Sequence, residues 1–213
     1  MKTPAGHGSR RLHLPSSVPP SKSEIRAKSA RAVFLDRDGV INEDSDEYIK
    51  SVAEWVPIPG SLEAIALLCQ AGYQVYIASN QSGIGRGLFD FDALFAIHER
   101  LQRAVAEVGG RISGIEYAPD HPDEASEMRK PAPGMLKDLA RRLGISLEGV
   151  PFVGDSESDI EAARAAGARP VLVLTGKGER TKSKRKPDDV PIYKDLAEFA
   201  RTIIGQDQRP HTA

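Results

Sequence analysis

Residues 32–42 read Ala-Val-Phe-Leu-Asp-Arg-Asp-Gly-Val-Ile-Asn, and this stretch decides the fold. Its first four residues form an uninterrupted apolar run, which is typical of a strand buried on both faces of a parallel sheet. Two carboxylates, Asp36 and Asp38, follow the run directly. Ending a buried strand with two acids is destabilising unless a cation or hydrogen bonds compensate them. The stretch therefore predicts a parallel sheet with a charged site at the carboxyl end of one strand.

Apolar runs and helical periods alternate along most of the remaining chain. The runs predict strands at 74–79, 112–117, 150–153 and 170–174, and the periods predict helices that begin near residues 60, 90, 133, 156 and 196. This alternation predicts an α/β fold with an open, doubly wound parallel sheet, whose site lies at the carboxyl ends of the strands. The segments between the candidate motifs are too short for a large cap domain, so we expect an open site whose loops select the substrate.

Charge and composition divide the chain into three parts. The net charge is -1 over 213 residues, but residues 1–31 carry seven cations against Glu24 alone, which leaves -7 for the remainder (-1 minus +6). We expect a disordered basic arm at 1–30, one globular domain at 31–205 and a tail at 206–213. The near-neutral balance argues against a nucleic-acid or membrane-surface protein. We interpret the basic run at 182–186 as a solvated loop and expect a monomer that binds a small molecule.

Cysteine content and hydropathy predict the compartment. Cys69 is the single cysteine, which excludes an intrachain disulfide and a thiolate-rich metal site. No apolar run is long enough to span a bilayer, and the first residues lack the apolar core of a secretory signal. An organelle transit peptide is disfavoured because scattered prolines interrupt the amphipathic helix that such peptides need. We expect a cytoplasmic protein.

A second acid cluster follows another buried run. Gly154-Asp155-Ser156-Glu157-Ser158-Asp159 places further carboxylates at the same edge of the sheet as Asp36 and Asp38. A hard, oxygen-only site of this kind suits Mg²⁺, which binds through one or two carboxylates plus substrate phosphate. The alternative interpretation is a helix cap made by Asp155 or Ser156. Both interpretations can hold, because Ser156 can cap the helix while Asp155 binds the metal.

Two further motifs supply groups that suit a phosphate. Ser79-Asn80-Gln81-Ser82-Gly83 ends a predicted strand with a hydroxyl, an amide and glycine-rich backbone, which are donors for phosphate oxygens. Arg129-Lys130-Pro131 places two cations before a predicted helix. Together with the acid clusters, Lys130 can neutralise charge on a transferring phosphoryl group and on the carboxylates themselves. The combination predicts phosphoryl chemistry.

These four pieces, in this order, resemble the four motifs of the haloacid dehalogenase (HAD) superfamily over about residues 31–178. More narrowly, residues 36–42, 79–87, 129–135 and 175–178 are similar to the HAD phosphatases of heptose 1,7-bisphosphate and to the related histidinol phosphatases. The resemblance implies a Rossmann-like core without a large cap domain. It also implies a magnesium-dependent hydrolase that removes the 7-phosphate of a heptose bisphosphate, a precursor of lipopolysaccharide, through an aspartyl-phosphate.

Two alternatives accompany this interpretation. Histidinol-phosphate phosphatases share the motifs and the fold, although Arg129 favours the doubly phosphorylated sugar because a planar guanidinium can grip the remote phosphate. A non-catalytic phosphate-binding module is the alternative from another class. The intact Asp36, Asp38, Lys130 and Asp155 argue against it, because binding alone does not require a nucleophile.

The resemblance also implies the roles of individual residues. Asp36 is the nucleophile and Asp38 the general acid and base. Asp36, the backbone carbonyl of Asp38 and Asp155 hold Mg²⁺, while Ser79 and Lys130 stabilise the phosphoryl oxygens. The residues implied to bind substrate are Asp44, Tyr48, Ser79, Asn80, Gln81, Ser82, Arg129, Lys130 and Ser156.

The chain departs from the family at a zinc site. Many members carry a Cys-x-His pair and a Cys-x-Cys pair that form a tetrahedral structural site. The corresponding positions here are Ala118, Asp120, Ser126 and Met128, so we predict no structural zinc. His121 lies nearby in the sequence, and without thiolate partners we interpret it as a surface residue. The loop from Pro119 to Glu127 must therefore be held by other contacts.

Overall fold

A single six-stranded parallel sheet forms the centre of the molecule. The computed structural model describes residues 32–185 and 189–207, and within them the strand order is β3-β2-β1-β4-β5-β6. The chain builds the sheet outward from β1 to β3 and then returns to the other side of β1, so the strand order reverses between β1 and β4, which is where open α/β sheets bind ligands. The strands are β1 (Ala32–Leu35), β2 (Gln74–Asn80), β3 (Ile112–Ala118), β4 (Pro151–Gly154), β5 (Arg169–Val173) and β6 (Ile192–Tyr193).

Helices cover both faces of this sheet. They are α1 (Ser61–Gln70), α2 (Ser82–Gly85), α3 (Phe91–Glu107), α4 (Gly134–Leu143), α5 (Glu157–Ala166), α6 (Gly178–Arg185) and α7 (Leu196–Asp207). Short 3-10 turns at Val52–Glu54 and Pro122–Glu124 lie in the two long loops. No helix in the described part of the chain is long and apolar enough to cross a membrane. The predicted doubly wound α/β fold is confirmed.

Successive side chains of β1 point to opposite faces of the sheet and pack into two separate layers of the core. Val33 and Leu35 pack with residues of α1, α3 and α7, whereas Phe34, between them, packs with residues of α4 and α5 on the opposite face. All three side chains are completely buried. A strand covered on both faces has no position for a charge, so the acids that follow β1 lie just outside the core, at the edge of the sheet.

The predicted elements agree with the structure within about one or two residues, whereas α2, α6 and β6 were not predicted. The basic run at 182–186 was predicted as a solvated loop. Lys182 and Lys184 are exposed, as predicted, but they lie on α6, so the loop assignment is wrong, and residue 186 lies outside the described residues. α7 continues to Asp207, two residues past the domain end predicted at 205. β6 has only two residues, too few for a periodic pattern. The predicted basic arm at 1–30 lies outside the described residues.

The buried side chain of His98, on α3, makes the free energy of unfolding depend on pH. Its side chain is buried against the ring of Tyr117, at 5.8 Å between centroids. Burial, helped by Arg37, lowers its pKa to about 3. Because the unfolded chain binds a proton near pH 6.5 and the folded one does not, the free energy of unfolding should fall as the pH drops from about 6.5 toward 3.

We expect His98→Gln to flatten this pH dependence, since glutamine carries no charge at any pH in the window. Urea unfolding at several pH values between 4 and 7 measures the slope. His121→Gln, which removes a partly exposed loop histidine, is the control. Equal slopes for wild type and His98→Gln would contradict the assignment.

Candidate active site

The carboxyl ends of the strands and the loops that follow them enclose one cavity of about 410 Å³. Its volume lies in the range of small-molecule sites. All twelve site residues named from the sequence line this cavity. They are Asp36, Asp38, Asp44, Tyr48, Ser79, Asn80, Gln81, Ser82, Arg129, Lys130, Asp155 and Ser156. The alternation of strands and helices predicted a site at this edge of the sheet, and the family resemblance implied the individual substrate-binding residues.

Lys130 lies at the base of the cavity between two carboxylates. Its Nζ is 2.9 Å from Asp36 Oδ1 and 2.7 Å from Asp159 Oδ1, and it donates to the carbonyl of Ala78 at 2.9 Å. The side chain is 2% exposed. Burial lowers its pKa, but Asp159 and Asp36 outweigh burial and raise the pKa above its usual value. Lys130 is therefore a fixed positive charge beside the carboxylate of Asp36.

Asn80 holds the backbone of Lys130 in place. Its Nδ2 donates to the carbonyl of Lys130 at 2.9 Å, and its Oδ1 accepts from the amide of Lys130 at 3.0 Å. This paired contact ties the end of β2 to the segment before α4. The side chain of Asn80 thus fixes the position of the cation, in addition to lining the cavity.

Three carboxylates crowd the same point. Oxygen atoms of Asp36, Asp155 and Asp159 all lie within 4.8 Å of one another. Burial raises the pKa of Asp36 to about 7, against the pull of Lys130. Burial, together with Asp159 and Asp36, raises the pKa of Asp155 to about 8. One lysine is too little positive charge for this cluster, and oxygen ligands of this type fit Mg²⁺.

Asp36 and Asp155 are the two carboxylates available for a cation, because both carboxylate oxygens of Asp159 already have partners. Ser156 is the N-cap of α5, and its amide donates to Asp159 Oδ2 at 3.0 Å in a capping box. Oδ1 of Asp159 faces Lys130. The cap and the acid cluster therefore coexist, with Ser156 at the helix end and Asp155 in the cavity, as the sequence allowed.

Two glycines make room for Asp155. Gly39 and Gly176 have φ of 78° and 54°, and a Cβ at either position would overlap the Asp155 carboxylate. The amide of Lys177 donates to Asp155 Oδ2 at 2.7 Å, and the hydroxyl of Thr175 bridges the two loops by donating to the carbonyl of Gly39 at 2.6 Å. These contacts orient Asp155 toward the end of β1.

Asp38 is held by a buried hydrogen-bond network. Arg37, 1% exposed, donates through Nε and Nη2 to its carboxylate at 3.0–3.1 Å. Asn42 Nδ2 and Gln81 Nε2 donate to it at 2.8 Å each. Burial raises the pKa of Asp38, but the charge of Arg37 and these hydrogen bonds outweigh it, so the pKa is lowered. Asp38 is ionised here, the state in which it can accept a proton from water.

Gln81 connects this network to Ser79. Its Nε2 donates to Asp38 Oδ2 and to Ser79 Oγ, and its Oε1 accepts from Arg37 at 3.0 Å. We expect Gln81→Met to lower kcat/KM for the phosphate-ester hydrolysis that the sequence motifs imply roughly 10-fold, the effect of losing one hydrogen bond to a charged group. Steady-state kinetics measures this, with Gln102→Met on the exposed face of α3 as the control. An unchanged kcat/KM would show that Gln81 does not hold Asp38 for the reaction.

The rim of the cavity carries residues that sequence reasoning did not single out as site residues. Lys177 Nζ is 2.6 Å from Asp44 Oδ2 and closes one side, and the exposed Arg180 on α6 lines the wall. Tyr48, which was named from the sequence, adopts a φ of 66°, a left-handed conformation that is strained for a residue with a side chain. Lys177 lies in residues 175–178, which the sequence analysis cited as a match to the family without assigning them a role. No motif in the sequence pointed to Arg180.

Comparisons with known proteins identify the family. Residues 127–199 match the HAD-hydrolase-like family. The chain is 56% identical over 174 residues to the D-glycero-beta-D-manno-heptose-1,7-bisphosphate 7-phosphatase of Pseudomonas putida, covering 82% of this chain and 99% of the relative. The corresponding protein of Pseudomonas aeruginosa is 52% identical over 176 residues, with 83% and 99% covered. The chain belongs to the heptose-1,7-bisphosphate 7-phosphatase family.

A solved member of the heptose-1,7-bisphosphate 7-phosphatase family shares the fold. The B. bronchiseptica enzyme, complexed with magnesium and phosphate, has a TM-score of 0.81 at 47% identity and covers 83% of this chain and 99% of its own. The resemblance stated from the four motifs is thereby confirmed. The chain is a HAD-type phosphatase by family.

The positions at which many family members carry zinc ligands lie around the loop after β3. Ala118 is buried at the end of that strand, and Ser126 Oγ donates to Asp120 Oδ2 at 2.8 Å. The amide of Met128 donates to Ser126 Oγ at 3.1 Å. Three of the four positions are therefore joined by direct hydrogen bonds. His121 is partly exposed, and its Nδ1 accepts from the amide of Asp123 at 3.2 Å.

Proposed function

We propose that this chain hydrolyses the 7-phosphate of D-glycero-β-D-manno-heptose 1,7-bisphosphate and uses Mg²⁺. The observation that carries the proposal is that Asp36, Asp38, Lys130 and Asp155 line one cavity together with Arg129. Relatives that span the same domain carry this activity in their names. The B. bronchiseptica neighbour binds magnesium and phosphate.

The chemistry divides into two displacements at phosphorus. An Asp36 carboxylate oxygen attacks the 7-phosphate in line, the bond from phosphorus to the C7 oxygen breaks, and Asp38 gives a proton to the leaving oxygen. Water then attacks the aspartyl-phosphate while Asp38 takes its proton, which releases phosphate and restores Asp36. The Ser79 hydroxyl and Lys130 stabilise the phosphoryl oxygens in both steps.

Asp38 must be protonated before it can donate a proton in the first displacement. Its pKa is lowered by Arg37, Asn42 and Gln81 when the cavity holds no anion. A phosphate dianion beside Asp38 opposes ionisation and favours the protonated form that the first step requires. After phosphoryl transfer the protonated leaving group departs, and the same network again favours the ionised form that activates water. The network thus supports both proton transfers by one residue.

The metal complements the charge of the cluster. Mg²⁺ held by Asp36, Asp155 and the backbone carbonyl of Asp38 would reduce the repulsion between the Asp36 carboxylate and a dianionic phosphate. The raised pKa values of Asp36 and Asp155 support this assignment, because burial disfavours the charges of these carboxylates unless a further cation balances them. Asp159 remains the partner of Lys130.

Arg129 distinguishes the bisphosphate from a monophosphate. Its guanidinium is partly buried in the cavity wall, and five N–H donors in a planar fork suit a phosphate. We assign it to the C1 phosphate. Asp44, Tyr48, Ser82 and Ser156 line the same cavity and are assigned to the sugar.

Phosphate release tests the proposal. Heptose 1,7-bisphosphate, heptose 7-phosphate and histidinol phosphate are compared at equal concentration, with Mg²⁺ or with a chelator. We expect metal-dependent turnover that favours the bisphosphate. Preference for histidinol phosphate would move the chain to the related activity, and no turnover of any of the three would overturn the substrate assignment.

The location and assembly of the chain remain proposals. A doubly phosphorylated sugar is highly charged and does not cross a lipid bilayer, so the proposed substrate supports the cytoplasmic location expected from the sequence. The monomer expected from the sequence stays a prediction.

A further inference from the structure

The loop between β3 and Arg129 closes on itself through side chains. Ser126 Oγ donates to Asp120 Oδ2 at 2.8 Å and accepts from the amide of Met128 at 3.1 Å. The carbonyl of Ser126 accepts from the amide of Arg129 at 3.1 Å. Asp120, on the first half of the loop, is therefore joined to the residues that directly precede Arg129 on the second half. We call the Asp120–Ser126 hydrogen bond the loop clasp.

Backbone hydrogen bonds to α2 and to the start of α4 fix the two ends of the loop. The amide of Gly85 donates to the carbonyl of Pro119 at 3.0 Å, and a Cβ at Gly85 would overlap the loop backbone. The amide of Gly134 donates to the carbonyl of Glu127 at 2.9 Å, again where a Cβ has no room. The ends are thus anchored on α2 and at the start of α4. The stretch between these anchors is exposed apart from Asp120 to Pro122.

The clasp is connected to Arg129 directly. Nη1 of Arg129 donates to the backbone carbonyl of Asp120 at 3.4 Å, a long hydrogen bond that uses one of the five donors of the guanidinium. Burial lowers the pKa of Arg129, while the charges of Asp120 and Tyr48 raise it. Both a carbonyl and a carboxylate of Asp120 therefore act on the guanidinium, and both move if Asp120 moves.

We propose that Asp120 and Ser126 are positioning residues, whose hydrogen bond holds the Arg129 guanidinium in the orientation that binds the remote phosphate of the substrate. This inference rests on the proposed function for the identity of that phosphate. The clasp lies outside the reacting end of the cavity, since neither Asp120 nor Ser126 lines it. Its effect is therefore on binding of the second phosphate and not on the displacement at phosphorus.

Variants of the clasp test this separation. We expect Asp120→Ala and Ser126→Ala to raise the KM for heptose 1,7-bisphosphate roughly fivefold, the effect of about one hydrogen bond. Neither kcat nor the KM for heptose 7-phosphate should change, because that substrate has no phosphate at C1. Ser126→Thr keeps the hydroxyl and should restore the low KM. Asp123→Ala removes an exposed carboxylate from the same loop and is the control.

A double-mutant cycle shows whether the effect passes through Arg129. In an Arg129→Met background, Asp120→Ala should raise the KM no further, because residues that act through one contact are not additive. Additive effects, or equal rises in KM for the mono- and bisphosphate, would overturn the inference and leave the clasp as a purely structural bond.

A measurement without substrate separates this inference from the proposed function. The ¹⁵N–¹H signals of the Arg129 side chain should report an ordered guanidinium in the wild type and in Ser126→Thr, and a mobile one in Ser126→Ala. An Arg129 that stays equally ordered in Ser126→Ala overturns the clasp whatever the substrate is. An ordered-to-mobile change together with equal kcat/KM for mono- and bisphosphate would support the clasp and reject the substrate.

Discussion

Asp36→Asn is expected to abolish phosphate release, lowering kcat by about 10⁴-fold or more, because the neutral amide cannot form the aspartyl-phosphate. The same change should stabilise the metal-free protein. Burial raises the pKa of Asp36 to about 7, so the folded state disfavours its charge, and Lys130 keeps Asp159 as a partner at 2.7 Å. Steady-state assays with Mg²⁺ and thermal unfolding in chelator measure the two effects.

Opposite directions of activity and stability are the diagnostic result. A variant that loses activity by unfolding would lose both together. Asp92→Asn, an exposed acid in the first turn of α3, is the matched control and should change neither. Acid quenching during turnover of ³²P-labelled substrate should leave label on the wild-type protein and none on Asp36→Asn. Appreciable turnover by Asp36→Asn would show that the reaction does not pass through a covalent intermediate at this residue.

The positions of the main site residues were predictable because the fold itself brings them together. In a parallel sheet every strand ends at the same edge, so residues that follow β1, β2 and β4 must meet. Asp36 and Asp155 directly follow β1 and β4, Ser79 lies in the last two residues of β2, and all three line the cavity. The buried character of those strands was visible as apolar runs, which is why the sequence was sufficient for this part.

Contacts that join distant loops were not predictable in the same way. Arg37 stands between two acids and has the composition of an exposed turn, yet it is 1% exposed because Asp38 and Gln81 pair with its guanidinium. The ion pair of Lys177 with Asp44 joins residues far apart in the chain. No periodicity or local motif encodes such a pair, since it depends on how two loops lie over the sheet.

α6 was not predicted because its sequence lacks the hydrophobic pattern of an amphipathic helix. Residues 178–185 have no apolar stripe, so the hydrophobic period that identifies an amphipathic helix is missing. The helix contacts the site through a polar side chain instead. Thr181 is buried, and its hydroxyl donates to the carbonyl of Asp155 at 2.9 Å. The position of α6, and with it Arg180 on the cavity wall, therefore follows from the tertiary structure.

Lys130→Met is expected to have the largest combined effect on stability and activity. The ammonium is 2% exposed and lies between Asp36 and Asp159. Removing one partner of a buried ion pair leaves uncompensated charge and typically costs about 3–5 kcal/mol. We also expect kcat to fall by about 10²- to 10³-fold, the loss seen when one preorganised group that stabilises transition-state charge is removed. Urea unfolding and phosphate release measure the two quantities.

A second substitution separates charge balance from catalysis. Asp159→Asn added to Lys130→Met removes one of the two carboxylates that the lysine compensated, while the side-chain oxygen can still accept from the amide of Ser156 at the start of α5. We expect the double variant to recover part of the lost unfolding free energy and none of the activity. Mg²⁺ should stabilise Lys130→Met more than the wild type, because a divalent cation between Asp36 and Asp155 supplies the missing positive charge. If Asp159→Asn restored activity as well, Lys130 would serve only to balance the buried acids, and its assignment to the phosphoryl oxygens would be wrong.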